Sequence, residues 1–169
     1  MALFDFWRRG KEKERPVIKR TVHNLQVGDI VSYNLEDYLV VGYLVYDDAG
    51  WKWKDYHLKS GDKHLWLSIE QDDELELGMF EVIPVPMSSR PGNKISYNGK
   101  TYYLDEASDA QIVIVEGEVG ATPGRWVNYW DFWDEAEEEC ISVEEWDGDF
   151  EVSWGRAIEA YELEIIAGS

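Results

Sequence analysis

Four short patterns occur twice in this chain, each time in the same order. Ser32-Tyr33-Asn34 returns as Ser96-Tyr97-Asn98, and Trp53-Lys54-Asp55-Tyr56 returns as Trp126-Val127-Asn128-Tyr129. Leu67-Ser68-Ile69-Glu70 is answered by Ile141-Ser142-Val143-Glu144, and Val82-Ile83 by Ile165-Ile166. The offsets are 64, 73, 74 and 83 residues, so the second copy gains loop residues while keeping the order of its elements. An ordered series constrains the fold more than any single motif, since each small unit leaves an apolar face that its neighbour must cover. The division that follows is a basic tail at 1–20, copy one at 21–86, a linker at 87–91 and copy two at 92–169, the copies forming one cooperative unit. The linker is marked by the Pro, Ser and Gly content of Pro86-Met87-Ser88-Ser89-Arg90-Pro91-Gly92.

Each copy reads as about five short strands. Strands are expected at 29–34, 38–46, 51–58 and 64–70, and further ones at 110–118, 125–133, 140–146, 149–154 and 161–166. Leu35-Glu36-Asp37 reads as a polar turn between the first two. The run Tyr38-Leu39-Val40-Val41-Gly42-Tyr43-Leu44-Val45-Tyr46 is apolar throughout and reads as covered on both faces. Asn98-Gly99 between two β-rich segments signals a type I′ hairpin. Helix is expected only at 1–8 and 134–139, with a turn near 156–160. The fold class is therefore mostly β: two pseudo-symmetric copies of a roughly five-stranded unit, packed as a barrel or sandwich. The 24 aromatic residues supply a core despite the 30% of charged ones, since one Trp or Tyr buries on the order of 150–250 Å².

Charge narrows the function classes. The net charge is −19, made up of +4 over residues 1–20 and −23 over the remainder. Such a body repels phosphate backbones and anionic lipid heads, so residues 21–169 are not expected to bind nucleic acid directly. Cys140 is the single cysteine, which excludes an intrachain disulfide and a cysteine-based metal site. No secretory signal and no membrane-spanning run is legible, and a cytoplasmic location is expected. Phe4 and Trp7, followed by Arg8 and Arg9, make residues 1–20 the one segment suited to membrane or partner contact.

Alternation places aromatic and acidic side chains together. Trp66 and Glu70 share one face of a strand, and Asp55 lies with Trp53 on one face of another. A groove lined by Trp53, Asp55, Tyr56, Trp66 and Glu70 from copy one, and Trp126, Tyr129, Trp130 and Glu144 from copy two, would suit a cation through cation–π and carboxylate contacts. The expected ligand is a basic peptide or protein, or a cationic small molecule. Catalytic signatures are missing: Asp55 and His57 could form a dyad, but no activated serine or cysteine accompanies them. Gly117, Gly120 and Gly124 lack the Lys-Ser/Thr ending of a phosphate loop, and no metal or cofactor motif is present. The reading is a non-enzymatic binding or adaptor domain. Its alternatives are a hydrolase or transferase using Glu70, Glu144 or the Asp55–His57 pair, and an acidic decoy that mimics nucleic acid.

The chain resembles the bacterial family known as domain of unknown function 4178. The resemblance rests on Leu25-x-x-Gly28-Asp29-x-Val31, on Tyr38-x-Val40-x-Gly42, on Trp53-Lys54-Asp55-Tyr56-His57-Leu58 and on Trp66-Leu67-Ser68-Ile69-Glu70. It covers residues 21–86 well and 92–169 more loosely. The family has Glu where Asp55 stands, and copy two departs further with Asn128 at that place and no tryptophan matching Trp66. The resemblance implies no established activity. It implies a setting beside membrane-stress proteins and polyamine-related enzymes in bacterial gene clusters.

Overall fold

The structure is a computed structural model that describes residues 18–169, so Phe4, Trp7, Arg8, Arg9 and the expected helix at 1–8 lie outside the described residues. Among the described residues there are eleven strands: β1 (Ile30–Tyr33), β2 (Glu36–Asp48), β3 (Trp51–Ser60), β4 (Lys63–Gln71), β5 (Leu75–Val82), β6 (Lys94–Tyr97), β7 (Lys100–Gly117), β8 (Trp126–Trp133), β9 (Glu139–Trp146), β10 (Asp149–Ile158) and β11 (Glu164–Ile166). All pair antiparallel in the order β11-β1-β2-β3-β4-β5-β10-β9-β8-β7-β6, and β2 also pairs with β7. That extra ladder closes eight strands, β2 to β5 and β7 to β10, into a barrel, leaving β1, β11 and β6 as extensions. Each half supplies a hairpin whose second strand is long, then three further strands. The halves meet at two seams, β2–β7 and β5–β10.

Alternation along each strand sends one set of side chains inward and the other outward. Large parts of the outward faces are covered. Tyr56, Leu58, Leu67, Ile69, Leu77 and Met79 pack beneath β1 and the segment holding Val22 and Leu25. In the second half Phe132, Ile141, Val143 and Val152 pack with Ile83, Val85, Met87 and the β6 residues Ile95 and Tyr97. A third cluster lies inside the barrel, around Leu44, Tyr46, Ala110, Ile112, Val127 and Tyr129.

The apolar run 38–46 is explained by a β-bulge. Val40 pairs with Leu58 and Gly42 with His57, which leaves Val41 as the extra residue. Tyr38 and Val40 therefore face the outer cluster, while Leu44 and Tyr46 face the lumen. At the same point β2 crosses β7 with Gly42 opposite Gly117. A Cβ on Gly42 would stand 2.6 Å from Glu118 N, and one on Gly117 2.2 Å from Val41 O. Neither position tolerates a side chain.

Several local expectations are corrected. Glu36 and Asp37 belong to β2, and the turn is Asn34-Leu35, both in the left-handed region with φ of 50° and 64°. Asn98-Gly99 has the same form, at 48° and 75°, as its type I′ signature requires. Residues 134–138 make a turn rather than a helix, because Asp134 accepts the backbone N–H groups of Glu138 and Glu139. The expected strand 161–166 is a single 3-10 turn at Ala160–Glu162 followed by the short β11. Val82 ends β5, whereas Ile165 and Ile166 lie on β11 against β1, so that repeated pair is not a strand-for-strand match. Arg20, counted with the tail, is tied into the body: it pairs with the buried Asp29 at 3.0 Å, and Asp29 also takes the N–H groups of Gln26 and Gly168. Leu35, fully exposed at φ 64°, is strained without compensation. Leu35→Gly is expected to stabilise the protein by about 0.5–1 kcal/mol in urea titration, since Gly avoids a left-handed penalty larger than its own unfolded-state entropy. An unchanged or lowered midpoint would count against that reading.

Candidate functional site

The barrel holds a half-open cavity of about 420 Å³ to which all eight closing strands contribute. Six carboxylates line it (Asp55, Glu70, Glu106, Asp131, Glu144, Glu151), together with seven aromatic side chains (Tyr46, Trp51, Trp53, Trp66, Phe80, Tyr129, Trp146). Among the described residues Arg125 is the single Lys or Arg in the lining. The loop following β7 adds Val119, Gly120 and Ala121.

Each half builds the same constellation. On β3 and β4, Asp55 stands opposite Ser68 and Trp53 opposite Glu70. On β8 and β9, Asp131 stands opposite Ser142 and Tyr129 opposite Glu144. The Ser142 hydroxyl donates to Asp131 at 2.7 Å. Trp51 Nε1–H donates to Glu70, and Trp146 Nε1–H donates to Glu144 at 2.9 Å. Tyr46 stacks on Trp53 with centroids 4.8 Å apart, and Trp53 meets Tyr129 edge-on at 5.4 Å. These contacts hold the aromatic wall in place before any ligand arrives.

The electrostatics are those of too many anions in too little water. Asp55 is half-buried, but its Oδ1 is shut from solvent and has no hydrogen-bond partner among the described residues. Burial, then the nearby Asp131 and Glu70 charges, push its carboxyl up to about 7, against a lowering by Ser68. Burial, with Asp55 and Glu151 adding, pushes Glu144 up to about 8. Asp131 is pushed up to about 6 by burial and by Glu106, Asp105 and Glu70, opposed by Ser142. Burial also raises Glu70 and Glu151. Near neutral pH Asp55 and Glu144 therefore keep much of their protonation unless a positive charge meets them.

Of the residues expected from sequence, Trp53, Asp55, Trp66, Glu70, Tyr129 and Glu144 meet in the lumen. Three do not. Tyr56 faces the outer cluster and donates its hydroxyl to Leu25 O, Trp130 joins the outer cluster of the second half, and Trp126 is exposed at the start of β8 outside the lining. Tyr56 and Trp130 have the wrong strand parity, each being the neighbour of an inward aspartate. The Asp55–His57 dyad does not form: His57 bonds to Glu118 O and His64 and stacks on Trp66. Sequence reasoning missed Asp131, Ser142, Glu151, Glu106, Tyr46, Phe80 and Trp146. Asp131 carried a readable signal, since Tyr129-Trp130-Asp131 repeats the aromatic-x-Asp of Trp53-Lys54-Asp55. Matching Trp53 to Trp126 instead placed Asn128 where Asp131 belongs.

Fold and site together define a closed antiparallel β-barrel with an acidic, aromatic-walled lumen. The chain belongs to the family described as Domain of unknown function (DUF4178), whose model matches residues 26–160. It is 30% identical over 145 residues to an uncharacterized protein of Mycobacterium tuberculosis, covering 82% of this chain and 69% of that protein, and equally to one of Mycobacterium bovis. An uncharacterized protein of Aquifex aeolicus is 26% identical over 170 residues, covering 95% of this chain and 93% of that one. No solved structure matches. Among the described residues no helix is long and apolar enough to cross a membrane.

Proposed function

We propose that this protein is a non-enzymatic binding domain whose lumen takes a small organic cation. The observation that carries this reading is the six-to-one excess of carboxylates over cations in the lining among the described residues, with the buried Asp55 Oδ1 left there without a partner. A buried carboxylate oxygen without a hydrogen-bond donor is costly, and a cationic guest reduces that cost while meeting the faces of Trp53, Trp66 and Tyr129. Arg125 offers an internal precedent: its guanidinium already lies over the Trp146 ring, 4.9 Å from the centroid. A cavity of about 420 Å³ suits a small molecule, which favours that half of the sequence reading over a basic protein or peptide inside the barrel.

The test is calorimetric titration with a panel of probes: tetramethylammonium, an alkyl monoamine, an alkyl diamine and a neutral sugar of similar size. At least one ammonium probe is expected to bind near pH 8, more weakly at pH 6, where the carboxyls regain their protons. The sugar is expected not to bind. Equal binding of the sugar, or no heat and no thermal shift with any cation, would sink the reading.

A further inference from the structure

The long strand β7 is covered along one edge only at its two ends. β6 pairs with Lys100–Tyr103, and the Leu104 N–H goes to Asn93 O. β2 takes up the same side from Gln111 to Gly117. Between them residues 105–110 lie against β8 on one edge and, among the described residues, against no strand on the other. The matching junction on β2 has no such gap. There β1 pairs as far as Leu39 and β7 starts at Gly42, while Val40 and Val41 bond to Gly28, Asp29 and Glu118.

The gap is long enough for a strand. Six residues span about 20 Å at roughly 3.3 Å per residue. Asp105, Glu106, Ala107 and Asp109 are exposed there, so among the described residues nothing covers the edge. An uncovered edge offers backbone N–H and C=O groups to whatever extended chain can approach. The charge decides which chain that is. Asp105, Glu106 and Asp109 lie on the strand itself, and Asp48 reaches the same place, linked to Glu106 through contacts of the Tyr129 hydroxyl at 2.8 and 3.1 Å. A second copy of this chain would bring its own net charge of −19 to that edge.

We propose that the 105–110 edge of β7 is a docking slot for an extended basic segment of a partner protein. The segment adds as one strand between β6 and β2, its backbone pairing with β7 and its Lys or Arg side chains meeting Asp48, Asp105 and Asp109. This site adjoins the lumen at Glu106 and Tyr129, but strand addition along β7 does not require a guest in the lumen.

The probe is a fluorescent, acetylated hexapeptide alternating lysine and valine, followed by anisotropy near physiological salt. Saturable binding is expected. Methylating alternate backbone amides keeps the charge but removes ladder donors, and is expected to weaken binding about tenfold or more, two lost hydrogen bonds of about 1 kcal/mol each being enough. Asp109→Lys, at a position that does not line the lumen, is expected to weaken the peptide about tenfold while leaving the cation titration unchanged. Three results overturn the proposal. One is no saturable binding. Another is equal binding of the methylated peptide, which would mean ionic adhesion alone. The third is a sedimenting dimer that the peptide dissociates, which would assign the edge to a second copy.

Discussion

Replacing Asp55 by Asn and Glu144 by Gln together is expected to raise the melting temperature of the ligand-free protein at pH 8 by about 5 °C or more. The same change is expected to abolish cation binding in the lumen. Both effects follow from two carboxyls whose native pKa values, about 7 and about 8, lie above the unfolded values of roughly 4. Between unfolded and native values the folded protein holds more protons than the unfolded chain, so stability falls as pH rises through that window. The loss is complete above the native values, which is where the neutral amides bring the largest gain. The wild type is therefore expected to lose melting temperature steadily from about pH 5 to about pH 8, and the double variant to lose much less. Below that window other groups set the limit. Tyr102 and Lys100 hold Glu139 below the usual carboxylate range, and that stabilisation is lost as acid protonates it. Differential scanning calorimetry across pH 4–9 checks all of this. A double variant less stable than wild type at pH 8 would mean that these acids are structural partners rather than unmet charges.

Gly117→Ala is expected to cost about 4 kcal/mol or more in urea unfolding, or to prevent folding outright. The position combines φ of +70° with an added Cβ only 2.2 Å from Val41 O and 2.9 Å from Gly42 Cα, both backbone atoms that cannot swing aside. Gly28→Ala is the control. Its φ of +94° carries a similar conformational penalty, but nothing stands within 4 Å of the new methyl. It is expected to cost about 1–2 kcal/mol. The difference between the two isolates the close approach of β2 to β7, the seam that closes the barrel. Equal losses at both sites would mean that backbone conformation, and not strand contact, makes Gly117 necessary.

Local chemistry was enough to read much of this molecule. Alternation in His64–Glu70 correctly grouped Trp66, Ser68 and Glu70 on one face, and Asn98-Gly99 declared its hairpin because positive φ favours those residues. The repeated Ser-x-Glu of β4 and β9 marked two strands that do occupy matching places in the barrel. What alternation cannot state is which face of a strand becomes the inside. That is decided by closure, through ladders between residues as far apart in the chain as Gly42 and Gly117, or Leu77 and Ile158. It was closure that turned Tyr56 and Trp130 outward and brought Asp131 against Ser142.

Bulges decided the rest. The extra residues Val41 in β2 and Asp105 in β7 each invert the side-chain parity beyond them, which buries Leu44 and Tyr46 in the lumen and turns Glu106 toward it. A bulge leaves no dependable mark in a single sequence, because its cause is the twist and contact of a neighbouring strand. By itself, then, the sequence determined a β-rich chain with paired aromatic and acidic strands and an excess of negative charge, since those depend on residue type and a period of two. The enclosure of those acids in one lumen, and the uncovered edge of β7 beside it, came only from long-range strand pairing.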